Sequence, residues 1–384
     1  MNVVVIGKPK YNIYLPTDEY PKETSKYKIN EVLEMPGGTS VYVACMLAKW
    51  GLKVYFSGAV AGDDIGAKIK KELESNGVDT KYLEMDYEQK SNINYVLINK
   101  SNGSSTEIEH INEVYTQKYK FDFVPDFIIT DGTDMGASMA AANNYPTSKI
   151  ITLANKLLAE YEALSKRSTY VCANLRFASA LVKIPVDTRP KGMVNLFQKI
   201  KDLQKAEYII MLGDKGVLYT KERQVKMIPA ISIEKKDDTN SGSAFFAAYA
   251  YGIINGYDMD EVAKIANLAG AQALTKIGTL TSIPEKEALY KMAGINEGEK
   301  PAQQAKPQAQ VPPKAAQPQQ QPEQPQQPAQ TPIQQPANQQ ATQPQQQPAA
   351  PNPAPNPNQA VIDNALSGIA NNQTAQGTTN ENIQ

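Results

Sequence analysis

Apolar residues in this chain fall into short unbroken runs, separated by longer stretches in which they recur every three or four positions. Residues 3–6 read Val-Val-Val-Ile and stop at Gly7. A run that is apolar at every position has no side to offer water, so it predicts a strand covered on both faces of a sheet. Residues 54–56, 126–130 and 208–212 read the same way, the last two ending near glycine. Residues 41–50, 67–75, 244–255 and 259–276 carry helical patterns. Gly51 stops the first, Asn76-Gly77 the second and Gly256 the third. Strands alternating with helices over about 280 residues predict an α/β fold with a mainly parallel sheet between two helical layers.

Two segments break this rhythm. Residues 91–99 alternate apolar and polar positions, and Asn102-Gly103 turns the chain into residues 106–111, a strong hairpin signal. Residues 9–34 are rich in Tyr, Pro, Lys and Thr without helical spacing, which suits short exposed strands. Together these predict a small sheet standing off the main domain.

Composition divides the chain into a domain over residues 1–296 and a tail over residues 297–384. The tail is almost entirely Pro, Gln, Ala and Asn. So few large apolar side chains cannot offset the entropy of ordering a backbone, so the tail is expected to be disordered. Within residues 359–372, Val361, Ile362, Leu366 and Ile369 are spaced for one helical face. They read either as a short helix that docks on a protein partner or as a solvated chance cluster.

A net charge of −1 supplies no electrostatic footprint for nucleic acid. No basic leader precedes an apolar run and no run is long enough to span a bilayer, so a cytoplasmic protein without membrane attachment is expected. Cys45 and Cys172 sit in apolar contexts and read as buried reduced thiols. The single histidine, His110, argues against a His-dependent triad or a multi-His metal site.

The most informative chemistry lies in Asp237-Asp238-Thr239-Asn240-Ser241-Gly242-Ser243-Ala244-Phe245-Phe246. A polar, Gly-containing loop enters a helix here, and the free N–H groups of a helix start favour an anion such as phosphate. The segment resembles the D-T-x-G-A-G-D-A-F motif of the ribokinase/pfkB family of sugar and nucleoside kinases. Upstream, Leu212-Gly213-Asp214-Lys215-Gly216 resembles the family's nucleotide-contacting turn. Downstream, residues 266–271 (with Asn267 and Gly270) and residues 276–284 are similar to its adenine-side helix and closing loop. Pro36-Gly37-Gly38 resembles the substrate-side G-G-x-x-x-N motif, and residues 58–66 resemble G-x-V-G-x-D-x-x-G.

The resemblance implies a three-layer α/β/α sandwich with a small β lid, ATP as cofactor with magnesium, and a sugar or nucleoside acceptor. In the family the lid often builds a dimer, so a homodimer through the lid is a further expectation. The chain departs from the family at its functional positions. The family's general base falls on Ser243, a loop glycine falls on Asn240, and Gly242 remains. The aspartate that grips the acceptor falls on Asn12, and the asparagine of G-G-x-x-x-N falls on Tyr42. In residues 172–177 the glutamate that helps organise magnesium falls on Phe177, so no metal ligand is assigned there. One reading is therefore a silent kinase fold that binds a nucleotide or small metabolite as a regulatory or interaction protein. The other is an active but atypical kinase. A shifted register, in which Asp237 or Asp238 is the base, stays open at this point.

Overall fold

The computed structural model describes residues 1–295 apart from 113 and 118. The tail over 297–384, with its expected helix at 359–372, lies outside the described residues. In chain order the first part runs β1 (Val3–Ile6), β2 (Lys10–Thr17), β3 (Leu33–Gly37), α1 (Thr39–Lys49), β4 (Val54–Ala61), α2 (Asp64–Ser75), β5 (Asp79–Asp86), β6 (Ile93–Asn99) and β7 (Ser104–His110). The second part begins with β8 (Phe127–Thr130), α3 (Met135–Asn144), β9 (Lys149–Ala154), α4 (Ala159–Arg167), β10 (Tyr170–Asn174), α5 (Leu175–Leu181) and α6 (Pro190–Leu203). It continues through β11 (Glu207–Met211), β12 (Val217–Lys221), β13 (Gln224–Ile228), α7 (Ser241–Asn255), α8 (Met259–Ala273) and α9 (Lys286–Ala293).

The unbroken apolar runs become the centre of a sheet ordered β13-β12-β11-β10-β9-β8-β1-β4-β5. Neighbours from β11 to β5 are parallel, while β12 and β13 fold back antiparallel at one edge. Side chains alternate across a strand, so one run feeds two cores. Val3 and Val5 join the cluster built with α1, α7 and α8, whereas Val4 and Ile6 pack with Ala137 and Ala141 of α3. Both helical layers are thus dictated by four consecutive apolar residues. Cys45 and Cys172 are buried and form no disulfide.

The second sheet has the order β3-β2-β6-β7, with β2 parallel to β6 and the other pairs antiparallel. The hairpin around Asn102-Gly103 forms as the alternation indicates. The segment expected as exposed strands differs: Asn12 and Tyr14 of β2 are buried, and β3 extends to Gly37. The inner face of this sheet packs Tyr14, Val96 and Ile98 with Leu33, Met35 and Ile277, the last of these from the body. Sequence alternation in β2 is masked because its inward positions are polar as often as apolar. The β6–β7 hairpin also touches the body, where the Ser105 hydroxyl donates to Asp238 at 2.6 Å. The small sheet is therefore a lid resting on the loops that precede and follow α7 and α8.

One boundary matters for the chemistry. Helix α7 starts at Ser241, not at 244, because the Ala244 N–H already reaches the Asn240 carbonyl at 2.9 Å. Ser243 consequently lies inside the first turn.

The outer end of α8 is tied to the edge hairpin by charge. Asp260 accepts from Lys221 at 2.9 Å, from Tyr219 at 2.7 Å and from Lys226 at 3.0 Å. The Lys221 hydrogen bond foremost holds its carboxyl well below the usual carboxylate range. A depressed acid pKa contributes stability above its unfolded value and loses it as pH falls through the folded value. Thermal melts of Asp260→Asn are expected to show a flatter decline below about pH 4 than the parent chain.

Candidate functional site

Two helix starts meet beneath the lid. No side chain caps α7, and Asn240 at its N-cap turns its amide to the Thr239 hydroxyl at 2.9 Å. The Ser243 hydroxyl in the first turn lies 3.0 Å from the Thr39 hydroxyl, the first residue of α1. Helix α1 begins after Gly38 and likewise lacks a cap of its own. Its Ser40 N–H donates instead to Asp131, at the end of β8, at 2.8 Å. That carboxylate is fully enclosed, and burial pushes its pKa up despite hydrogen bonds from Thr133 and Ser40. Asp131 is thus a cap supplied from 91 residues away along the chain.

The residues expected on the acceptor side form a buried polar network in which only the Asn94 side-chain carbonyl oxygen lacks a partner among the described residues. The Asn12 amide N–H₂ donates to the Tyr14 hydroxyl at 3.0 Å and to the Thr279 hydroxyl at 3.1 Å. Its carbonyl oxygen accepts from the Asn94 amide at 3.1 Å, and the two hydroxyls lie 2.7 Å apart. Asn12, Tyr14, Asn94 and Thr279 are each 5% exposed or less. Gly37 is required beside them, since a β-carbon there would come within 2.2 Å of the Asn12 amide nitrogen. Gly38 follows with a positive φ of 99°, turning the chain into α1. Tyr42 is fully buried and donates to the Ser282 carbonyl at 3.1 Å, so it ties α1 to the loop after α8.

The two candidate aspartates upstream of α7 are engaged elsewhere. Asp237 accepts from the Gly278 N–H at 2.9 Å and the Thr239 N–H at 2.8 Å, and burial raises its pKa. Asp238 takes the Ser105 hydroxyl and pairs with Lys235 at 3.2 Å. Each carboxylate fastens a loop.

On the other side of α7 lies a cleft of about 680 Å³. Gly213, Asp214, Gly216, Asn267 and Gly270, the residues expected to bind nucleotide, all line it, together with Gly242 from the catalytic loop of the expectation. Gly216 has φ of 103°, and a β-carbon would meet the Ile228 carbonyl at 2.0 Å. Asn267 donates to the Pro229 carbonyl at 2.9 Å, fixing the far wall. Phe177 does not join this group. Asn174 caps α5 through the Phe177 N–H at 2.8 Å, and the ring packs in the other helical layer with Ala154, Tyr161 and Leu181. Among the described residues no group of three or more His, Cys, Asp or Glu side chains is disposed to hold a metal ion.

Sequence reasoning did not single out Thr39, Tyr14, Asn94, Thr279 or Asp131. Thr39 and Thr279 had a local signal, because each follows a glycine of a noted motif. Tyr14 shares a strand face with Asn12 at two residues' distance. Asn94 and Asp131 had none, as their positions depend on strand register and sheet order.

A parallel-sheet body, a four-stranded lid and an uncapped helix start beside a glycine-lined cleft define a ribokinase-like fold. The chain belongs to the pfkB family of carbohydrate kinases, whose family model matches residues 1–286. It is similar to the ribokinase of Bacillus subtilis (strain 168), at 24% identity over 302 residues, covering 76% of this chain and 99% of that enzyme. Among solved structures, the ribokinase of Thermotoga maritima superposes with a TM-score of 0.62 at 21% identity, covering 76% of this chain and 99% of that one. The ribokinase of Arabidopsis thaliana complexed with ribose and ATP also has a TM-score of 0.62, at 18% identity, covering 77% and 99%. These structural likenesses establish the fold.

Replacing Thr279 by Val keeps the shape but leaves the Asn12 amide and the Tyr14 hydroxyl short of a partner. Urea unfolding is expected to show a loss of about 1–3 kcal/mol. No measurable loss would mean that water or another side chain satisfies both groups.

Proposed function

We propose that this pfkB-family chain is a catalytically impaired kinase fold that binds a nucleotide or small metabolite and acts as a regulatory or interaction protein. The observation that carries this reading is the Ser243–Thr39 hydroxyl pair at the start of α7. Phosphoryl transfer to an alcohol needs a group that accepts the alcohol's proton as the new bond forms. A hydroxyl bonded to another hydroxyl has no useful basicity near neutral pH. Loss of a general base is worth about 10²–10⁴ in rate. Neither Asp237 nor Asp238 compensates, since both fasten loops.

The acceptor side supports the same conclusion. A sugar would have to displace Tyr14 and Thr279 from Asn12, breaking buried hydrogen bonds that already satisfy it. A nucleotide fits what remains: the uncapped amides of α7 suit phosphate, and the glycine-lined cleft leaves room beside them. The residues do not fit the family's magnesium organiser, because Phe177 is packed in an apolar core. We assign the tail at residues 297–384 the role of a tether or docking arm for a protein partner. A homodimer through the lid would cover Tyr95 and Ile108, which are exposed on its outer face. No described helix is long and apolar enough to cross a membrane, in keeping with a cytoplasmic setting.

A second reading, an active ATP-dependent kinase of a sugar or nucleoside, is favoured by the intact cleft and lid. It requires a proton acceptor other than Ser243 and opening of the Asn12 network.

ADP is expected to raise the melting temperature of the full chain, since a ligand that binds only the folded state stabilises it. A β-carbon at Gly242 would meet nothing within 4 Å in the protein but would project at the cleft. Gly242→Ala should therefore melt no lower by itself while losing most of the ADP-induced rise; an absent ADP effect in the parent chain would reject nucleotide binding. Ser243→Asp is expected not to restore phosphoryl transfer, because the Asn12 network remains closed. Transfer recovered by that single change would show that the acceptor site is intact.

A further inference from the structure

Beyond the cleft, on the far side of the turn at Gly213–Lys215, lies a separate pocket of about 580 Å³ between the start of α6 and the β12–β13 hairpin. Met193, Val194, Leu218, Val225 and Met227 form its wall. Met193 and Leu218 are buried in the core beneath α6 and Val225 packs at its edge, while Val194 and Met227 are 53% and 50% exposed. A concave apolar surface of this volume, with a few polar groups at its mouth, is the usual form of a small-molecule site. Two methionines in the wall give it a polarizable surface that adapts to a ligand's outline.

The charges at the mouth indicate the sign of the ligand. Lys215 and Lys226 line the pocket against a single carboxylate, Asp214. Lys226 is already held by Asp260. Lys215 donates only to the Thr188 hydroxyl at 3.2 Å and makes no ion pair among the described residues. An ammonium that makes no ion pair at the edge of an apolar wall, with two lysines lining the pocket against one carboxylate, is complementary to an anionic head on an apolar body.

We propose that this pocket binds a compact apolar anion, an alkyl or aromatic carboxylate or sulfonate, with its head at Lys215 and its body against Val194, Val225 and Met227. Asp214 and Ala230 line both this pocket and the cleft, so the bound anion shares a wall with the nucleotide cleft. The assignment does not rest on the proposed loss of catalysis, nor on nucleotide binding.

The test uses the full chain and the fluorescent probe 8-anilinonaphthalene-1-sulfonate, followed by displacement with decanoate or decylamine. Saturable binding at one site is expected, with displacement by decanoate and not by decylamine. Lys215→Glu and Val194→Asp, both at exposed positions, should each weaken the probe about tenfold or more while the melting temperature stays that of the parent chain. The proposal is overturned if the probe does not saturate, if both variants bind it as the parent does, or if decylamine displaces it as well as decanoate.

Discussion

Buried polar groups must find partners within the chain when water is excluded, and in this protein that requirement fixes the lid to the body. Asn12 and Tyr14 come from the lid, Thr279 comes from the loop after α8, and their mutual hydrogen bonds enclose all three. Opening the lid would break hydrogen bonds that satisfy Asn12, Tyr14 and Thr279, leaving only the Asn94 side-chain carbonyl oxygen of this network without a partner in the closed state. The same requirement places Asp131 under the start of α1, where its carboxylate takes the Ser40 N–H. It also places Asp237 on Gly278, which positions the loop that carries Thr279. The carboxylates near the centre therefore act as fasteners, and the mouth of α7 is left to hydroxyls.

That arrangement separates two halves of a kinase-like centre. The half proposed to hold phosphates is backbone geometry: an uncapped helix start, a turn with Gly213 and Gly216 at positive φ, and Gly270 close against Ser241. The half that would activate an alcohol depends on particular side chains, and on the proposed reading those are the ones that depart from the resembled motif. Backbone features follow from glycine placement and helix direction and persist with the fold. A side chain at one position can change without altering the backbone that carries it, and here Ser243 meets the Thr39 hydroxyl at 3.0 Å.

Much of the fold was legible because its cause is local. Val3–Ile6 reads as a doubly covered strand from four residues, and the hairpin reads from alternation around Asn102-Gly103. The cleft was legible for a similar reason, since Gly213, Gly216, Asn267 and Gly270 belong to short motifs that carry their own turn and helix signals. The closed acceptor network was not. Tyr14 and Thr279 are 265 residues apart, and only the pairing of β2 with β6 and the packing of β3 bring them together. Helix α7 was read three residues short because Ser241, Gly242 and Ser243 are poor helix formers that tertiary packing holds in the first turn. Tyr42 was placed correctly on α1, but its direction toward Ser282 depends on how α1 packs against the loop after α8.

The most direct test is ATP turnover by the purified full chain with magnesium and a panel of sugars and nucleosides. With hydroxyls at the mouth of α7 and the Asn12 network closed, ADP should form no faster with any acceptor than without one. Acceptor-stimulated ADP formation at an enzyme-like rate would contradict the silent centre and leave a working phosphotransferase in its place.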